Sequence, residues 1–233
     1  MAIHHPKSIS TNNNITFVIM CSHAGYRMKS WGNRSLLQLK NGQTVLQHNI
    51  SIINKFFPNA SIIVTCGFES ERFTRHETEG ARVVESHYYK FTNCIEECRL
   101  AIKNMPTLNR MFFMYGDILI TKDVFKNYTE DSYIILDKHQ MQDYEVSAIT
   151  VDDKLTNLSY GANDKWTGMV QLTGNTLNRF SAFCNNDNSA KFMFEGINYT
   201  IKRGSEINCV YNNSFLKKIT EPSHVEEIKK CVF

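Results

Sequence analysis

From Ile15 to Tyr115 the chain switches between short unbroken apolar runs and longer stretches with apolar residues at helical spacing. Ile15–Met20 (ITFVIM), residues 61–65 (SIIVT) and Arg110–Tyr115 (RMFFMY) are runs of the first kind, which mark strands buried on both faces. Residues 82–84 read as a further short strand. Residues 44–57 place Val45, Leu46, Ile50, Ile53 and Phe57 on one helical stripe. Residues 92–103 read as a second helix with Thr92 or Asn93 at its N-cap. Such alternation predicts right-handed βαβ units, and hence a three-layer Rossmann-like α/β fold. The sheet is expected to be mixed but mainly parallel, with helices on both faces. The second half reads differently. Residues 132–136, 145–151 and 167–172 are strands with only turns between the first two, which predicts a mixed extension of the sheet. Helices are expected at residues 175–183, 191–203 and Pro222–Lys230, the last with proline in its first turn.

Composition narrows the class. The chain has 233 residues, 42% hydrophobic and 21% charged, which suits a folded domain and excludes a disordered or collagen-like chain. Lys plus Arg number 26 against 23 Asp plus Glu, a net charge of +3, too little to argue for nucleic-acid binding but compatible with a phosphorylated ligand. The chain lacks the run of about 18 apolar residues that a membrane span needs. Residues 1–14 are polar and lack the apolar core of a secretory leader, so they are expected to form a flexible lead to a single domain over residues 15–233 in the cytoplasm. In that reducing compartment the seven cysteines, an odd number, read as free thiols. Cys94 and Cys98 have no second pair at zinc-site spacing.

Two segments carry candidate chemistry. The loop after the first strand opens with small residues, Cys21-Ser22-His23-Ala24-Gly25, and continues with three cations, Arg27, Lys29 and Arg34. Small residues let backbone N–H groups approach a phosphate chain, and guanidinium groups clamp and neutralise it. No Gly-x-x-x-x-Gly-Lys-Ser/Thr or Gly-x-Gly-x-x-Gly pattern is present, so a solvated basic loop reads equally well on composition alone. Asp117 follows a buried strand and Gly116, which puts a carboxylate at the ligand edge of the sheet, suited to Mg²⁺ or to capping the next turn.

The loop resembles the signature of the nucleotidyltransferases that make nucleotide-activated sugars, cholines and erythritols. Gly25, Arg27 and Met28 match it, and Arg34-Ser35-Leu36-Leu37 stands where Lys-Pro-Leu-Leu is usual. Other segments resemble that family in the same order: Gln43-Thr44-Val45-Leu46, Thr65-Cys66-Gly67-Phe68-Glu69, Thr92-Asn93-Cys94, Tyr115-Gly116-Asp117, Trp166-Thr167-Gly168-Met169, Phe194-Glu195-Gly196-Ile197-Asn198 and Lys218-Ile219-Thr220-Glu221-Pro222.

The resemblance implies the nucleotide-diphospho-sugar transferase type of fold and a Mg²⁺-dependent reaction. A nucleoside triphosphate, CTP or UTP-like, would give its NMP group to a sugar, polyol or choline phosphate and release pyrophosphate. Arg27 would hold the β- and γ-phosphates, Arg34 the α-phosphate and the acceptor phosphate, and Asp117 the metal. Ser22, His23, Ala24, Gly25, Gly67, Thr92 and Asn93 would surround the nucleotide. Lys218, Glu195 and Trp166 would serve the acceptor side. No nucleic acid or membrane partner is implied, and a homodimer is compatible with it. The sequence departs from the pattern at His23, where a glycine is usual, at Arg34, where a lysine is usual, and at Thr220, near the place of a late Asp. Two alternatives remain. One is a glycosyltransferase using a nucleotide sugar, against which Ile118-Leu119 after Asp117 leaves no Asp-x-Asp pair. The other is a nucleotide-binding protein that has lost turnover.

Overall fold

A computed structural model of the chain describes residues 15–106, 109–138, 145–212 and 217–230, with Tyr26 and Lys29 as backbone only. The N-terminal lead, the Lys29 side chain and Cys231 lie outside the described residues. The first half runs β1 (Ile15–Met20), α1 (Val45–Phe56), β2 (Ser61–Cys66), β3 (Arg82–Glu85), α2 (Cys94–Lys103), β4 (Arg110–Tyr115) and the two-residue β5 (Ile118–Leu119). The second half runs β6 (Tyr133–Asp137), β7 (Val146–Val151), β8 (Lys154–Tyr160), β9 (Asp164–Thr173), α3 (Gly174–Asn185), α4 (Met193–Ile201), β10 (Asn208–Tyr211), β11 (Lys217–Lys218) and α5 (Pro222–Lys230). No helix among the described residues is long and apolar enough to cross a membrane.

The main sheet has nine strands in the order β3-β2-β1-β4-β9-β6-β10-β8-β7. β1 is the hub of the parallel part, paired with β2 on one side and β4 on the other, and all six of its residues are buried. Alternate side chains feed two cores. Val18, Met20, Met111 and Phe113 pack with α2, α3 and α4 on one face, while Phe17, Ile19, Phe112 and Met114 pack with α1 on the other. Phe17 and Phe112, cross-strand neighbours, stack at 5.1 Å. α1 begins in a reciprocal cap, with Thr44 accepting from the Gln47 backbone N–H and Gln47 accepting from that of Thr44.

The expectation of a mainly parallel sheet holds for β3-β2-β1-β4, and beyond it only β6 and β10 pair in parallel. β9 lies antiparallel to both β4 and β6, and its first residues also pair with β7 through Ser147 and Ala148. The strands β9-β6-β10-β8-β7 therefore close back onto β9 and form a barrel-like ring rather than an open edge. Register shifts between Ile134 and Leu136 and between Ile149 and Thr150 supply the bend, since a bulge tightens the twist of its strand. Gly168, at φ +90° within β9, bends the backbone where the Tyr115 ring packs against it. β8 is a strand the sequence pattern did not predict. Its buried Leu155 and Leu158 are three apart rather than two, and its hairpin turns on Asp152 and Asp153, both at positive φ, instead of on glycine.

A site is positioned where the parallel strands β1 and β4 end. Gly116 donates its N–H to the Met20 carbonyl at 2.7 Å, and a Cβ there would lie 2.3 Å from Cys21 Sγ. Only glycine lets the end of β4 come this close to β1, and that approach sets Asp117 beside the loop that follows β1.

Candidate active site

Asn33 fastens that loop. Its side-chain amide donates to the carbonyls of Cys21 (2.7 Å) and Phe68 (3.2 Å), and its side-chain oxygen accepts from the N–H and hydroxyl of Ser35. The 3-10 turn at Arg34–Leu36 starts from this anchor. Arg34 then reaches inward. Its Nη1 lies 2.6 Å from Asp117 Oδ2 and donates to the Ile219 carbonyl at 2.9 Å. The two side chains are only 16% and 9% exposed, and Arg34 Nε and Asp117 Oδ1 are buried without a hydrogen-bond partner among the described residues. Gly25, at φ +71°, lies against the guanidinium group.

Arg34 and Asp117 open onto a cavity of about 430 Å³. Sheet order places Cys21, His23 and Glu97 on its β1 side and Glu145, Tyr160 and Trp166 on its β7–β9 side, with Gly116-Asp117 between. Phe192 and Phe194, from the start of α4, stack at 5.8 Å beside Tyr160 and add to an aromatic wall. Lys218 arrives on β11, with its Nζ 4.6 Å from the centre of the Tyr115 ring. The thiols at the cavity are poor nucleophiles. Burial pushes Cys94 up to about 12, and it pushes Cys21 and the Tyr115 phenol well above their ordinary values.

Of the residues expected from the sequence, His23, Arg34, Asn93, Asp117, Trp166 and Lys218 line this one cavity. Ser22 is outside the lining but joined to it, donating its backbone N–H to the lining residue Glu97 at 3.0 Å, while its hydroxyl is buried without a hydrogen-bond partner among the described residues. Arg27 stands further out, 3.7 Å from Glu221, two residues from the carbonyl that holds Arg34. Thr92, Ala24, Gly67 and Glu195 are not in the lining. The Thr92 hydroxyl donates to the Tyr88 carbonyl, and Gly67 faces the Tyr89 ring. Glu195 caps α4, accepting from the Phe192 N–H at 2.8 Å, and pairs with Lys191 at 3.0 Å.

Glu97, Asn33, Tyr160 and Phe192 were given no role from the sequence, and Tyr115 and Phe194 stood only within segments that resemble the family, with no role of their own. A signal existed for Glu97, which stands one helical turn after the cap Asn93 on the stripe of Cys94, Cys98 and Ala101. A lone carboxylate on a buried stripe asks for a partner.

Among the described residues no group of three or more His, Cys, Asp or Glu could hold a metal ion. A single carboxylate with a buried, unpartnered oxygen still fits Mg²⁺, which binds to one or two carboxylates together with substrate phosphates.

No protein-family model and no curated protein matches the sequence. Solved structures do match. CTP:phosphocholine cytidylyltransferase of Streptococcus pneumoniae superposes with a TM-score of 0.78 at 13% identity, over 93% of this chain and 98% of that one. The inositol-1-phosphate CTP transferase of Thermotoga maritima gives 0.73 at 14%, over 94% and 97%. The nucleoside-diphosphate-sugar pyrophosphorylase of Vibrio cholerae gives 0.72 at 13%, over 93% and 100%. At these identities the likeness is one of fold, and the chain has the nucleotidyltransferase-like fold of the sugar-, choline- and polyol-phosphate enzymes.

Proposed function

We propose that the chain is a nucleotidyltransferase that moves an NMP group from a pyrimidine nucleoside triphosphate to a phosphorylated small acceptor and releases pyrophosphate. One observation carries the reading. Arg34 and Asp117 meet in the lining of the cavity, and each keeps a buried polar atom, Nε and Oδ1, without a hydrogen bond among the described residues. A phosphate between nucleotide and acceptor would supply acceptors to Nε, and a cation would satisfy Oδ1. Mg²⁺, when bound, would neutralise phosphate charge and polarise the phosphorus under attack.

The chain's own residues would position and neutralise. Arg34 would turn its fork between the α-phosphate and the acceptor phosphate. Arg27, on the rim beside Glu221, would take the outgoing pyrophosphate. Ser22 to Gly25, with Asn93, would flank the nucleoside at the ends of β1 and β2. Lys218, on β11 and paired with Ile118, next to the Ile219 that holds Arg34, would balance the acceptor phosphate. Trp166, with the aromatic wall and Glu145, would receive the acceptor's body, a sugar or polyol ring or a choline headgroup.

The test is pyrophosphate release from each NTP with Mg²⁺ and a panel of sugar, polyol and amino-alcohol phosphates. Release with at least one pair is expected, and silence across the panel overturns the reading. A second reading, nucleotide binding without turnover, has its own support: the direct Arg34–Asp117 pair engages the phosphate clamp and the metal carboxylate with each other. Triphosphate binding by calorimetry without pyrophosphate release would favour it.

A further inference from the structure

The phosphate chemistry leaves Glu97 unused. Its side chain is 2% exposed, yet it lines the cavity. Oε2 accepts the Ser22 N–H at 3.0 Å and the Thr65 hydroxyl. Oε1 has no hydrogen bond among the described residues and stands 3.5 Å from His23 Nε2, a buried nitrogen that likewise has no hydrogen bond among the described residues. A carboxylate oxygen and a buried imidazole nitrogen thus stand within ion-pair distance of each other, neither in a hydrogen bond among the described residues, at the carboxyl ends of β1 and β2. Leaving such groups unsatisfied is costly. A ligand that completes them must bring a donor for the carboxylate. A phosphate brings only acceptors and negative charge, so this corner repels the triphosphate tail and suits the base.

We propose that Glu97, assisted by His23, reads the base and selects cytosine over uracil among the pyrimidine nucleotides. The inference rests on the nucleotidyltransferase reading and names the nucleotide. Cytosine carries an amino donor at C4 beside the N3 acceptor. Its amino group donates to Glu97 Oε1, and N3 accepts from a His23 Nε2–H. Uracil reverses the pattern, setting its O4 against a carboxylate that can only accept. His23 can change tautomer to receive the uracil N3–H, whereas Glu97 has no such freedom, so the discrimination resides in Glu97. A site built to hydrogen-bond one edge rejects the mismatched edge strongly, because its own buried atoms are then left unpaired.

Calorimetry on the full chain with Mg²⁺ and CTP or UTP tests this. CTP is expected to bind at least about tenfold more tightly. In Glu97→Gln the amide oxygen keeps the Ser22 and Thr65 bonds and the amide N–H₂ faces the base, so the CTP preference is expected to vanish or invert. A variant that misfolds is covered by a measurement on the unaltered protein. The triphosphate of pyrimidin-2-one riboside, cytosine without its amino group, is expected to bind about tenfold more weakly than CTP. Equal binding of CTP and UTP, a preference for UTP, or an unchanged ratio in a folded Glu97→Gln overturns the inference. If the unaltered protein binds neither triphosphate, the nucleotidyltransferase reading falls as well, which separates the two failures.

Discussion

Gly25 lies flat against the guanidinium group of Arg34: a Cβ at position 25 would stand 2.6 Å from Arg34 Cζ and 2.7 Å from Nη2. The glycine is therefore required twice, for its φ of +71° and for the space its missing side chain leaves to the cation. Arg34 cannot easily retreat, because Asp117 and the Ile219 carbonyl hold Nη1. Gly25→Ala is expected to cost about 1–2 kcal/mol of stability through the left-handed backbone. It is also expected to lower kcat/KM at least about tenfold by displacing the fork. Thermal melts and steady-state pyrophosphate release check the two effects separately, and unaltered kinetics would show that Arg34's position is not critical.

Arg34 and Asp117 form one buried unit, so removing either leaves the other without its charge partner. Arg34→Ala and Asp117→Ala are each expected to cost at least about a hundredfold in rate. Their effects on melting should be clearly less than additive in the double variant, since the second deletion removes a charge already stranded by the first. A double-mutant cycle in melting temperature measures this, and strict additivity would refute the coupling.

Asn33 ties together two backbone carbonyls and Ser35 at the root of the loop. Asn33→Ala strands those buried carbonyls and is expected to destabilise the chain by about 2–3 kcal/mol. For a chain of this length that is a fall in Tm of roughly 5–10 °C. Limited proteolysis should detect faster cleavage between residues 21 and 37. A melt and cleavage pattern identical to the unaltered protein would remove Asn33 from its anchoring role.

His48 makes stability pH-dependent. Burial lowers its pKa, opposed in part by the hydrogen bond from Nε2 to the Ile120 carbonyl at 2.9 Å. The folded chain then binds fewer protons than the unfolded one. The stabilising contribution is complete above the unfolded value of about 6.5 and is lost as pH falls from there through the lowered native value. His224, whose pKa burial also lowers, adds to the same slope. Tm is expected to fall on acidification from pH 7 to pH 5, and less steeply in His48→Gln. Superimposable curves for the two proteins would exclude His48 as a source.

The parallel half of the fold was legible in the sequence because a strand covered on both faces must be apolar throughout, and a helix on a sheet must repeat every 3.6 residues. β1, β2, β4, α1 and α2 follow from those two periods, and with them the positions of the small-residue loop and of Asp117 at the sheet's ligand edge. The resemblance of short segments to the nucleotidyltransferases marked His23, Arg34, Asn93, Trp166 and Lys218 without showing that they share a cavity. Tertiary structure alone decided what depends on distant pairing. β9 serves β4, β6 and β7 together, and the ring it closes brings the wall of Tyr160, Phe192 and Phe194 to the cavity. The Ile219 carbonyl reaches Arg34 across 185 positions of sequence. Glu97 gains its meaning from Ser22 and Thr65, which lie on other strands and their loops. A periodic pattern records how each segment meets the core, but it holds no record of which segments meet each other, and the site is made from those meetings.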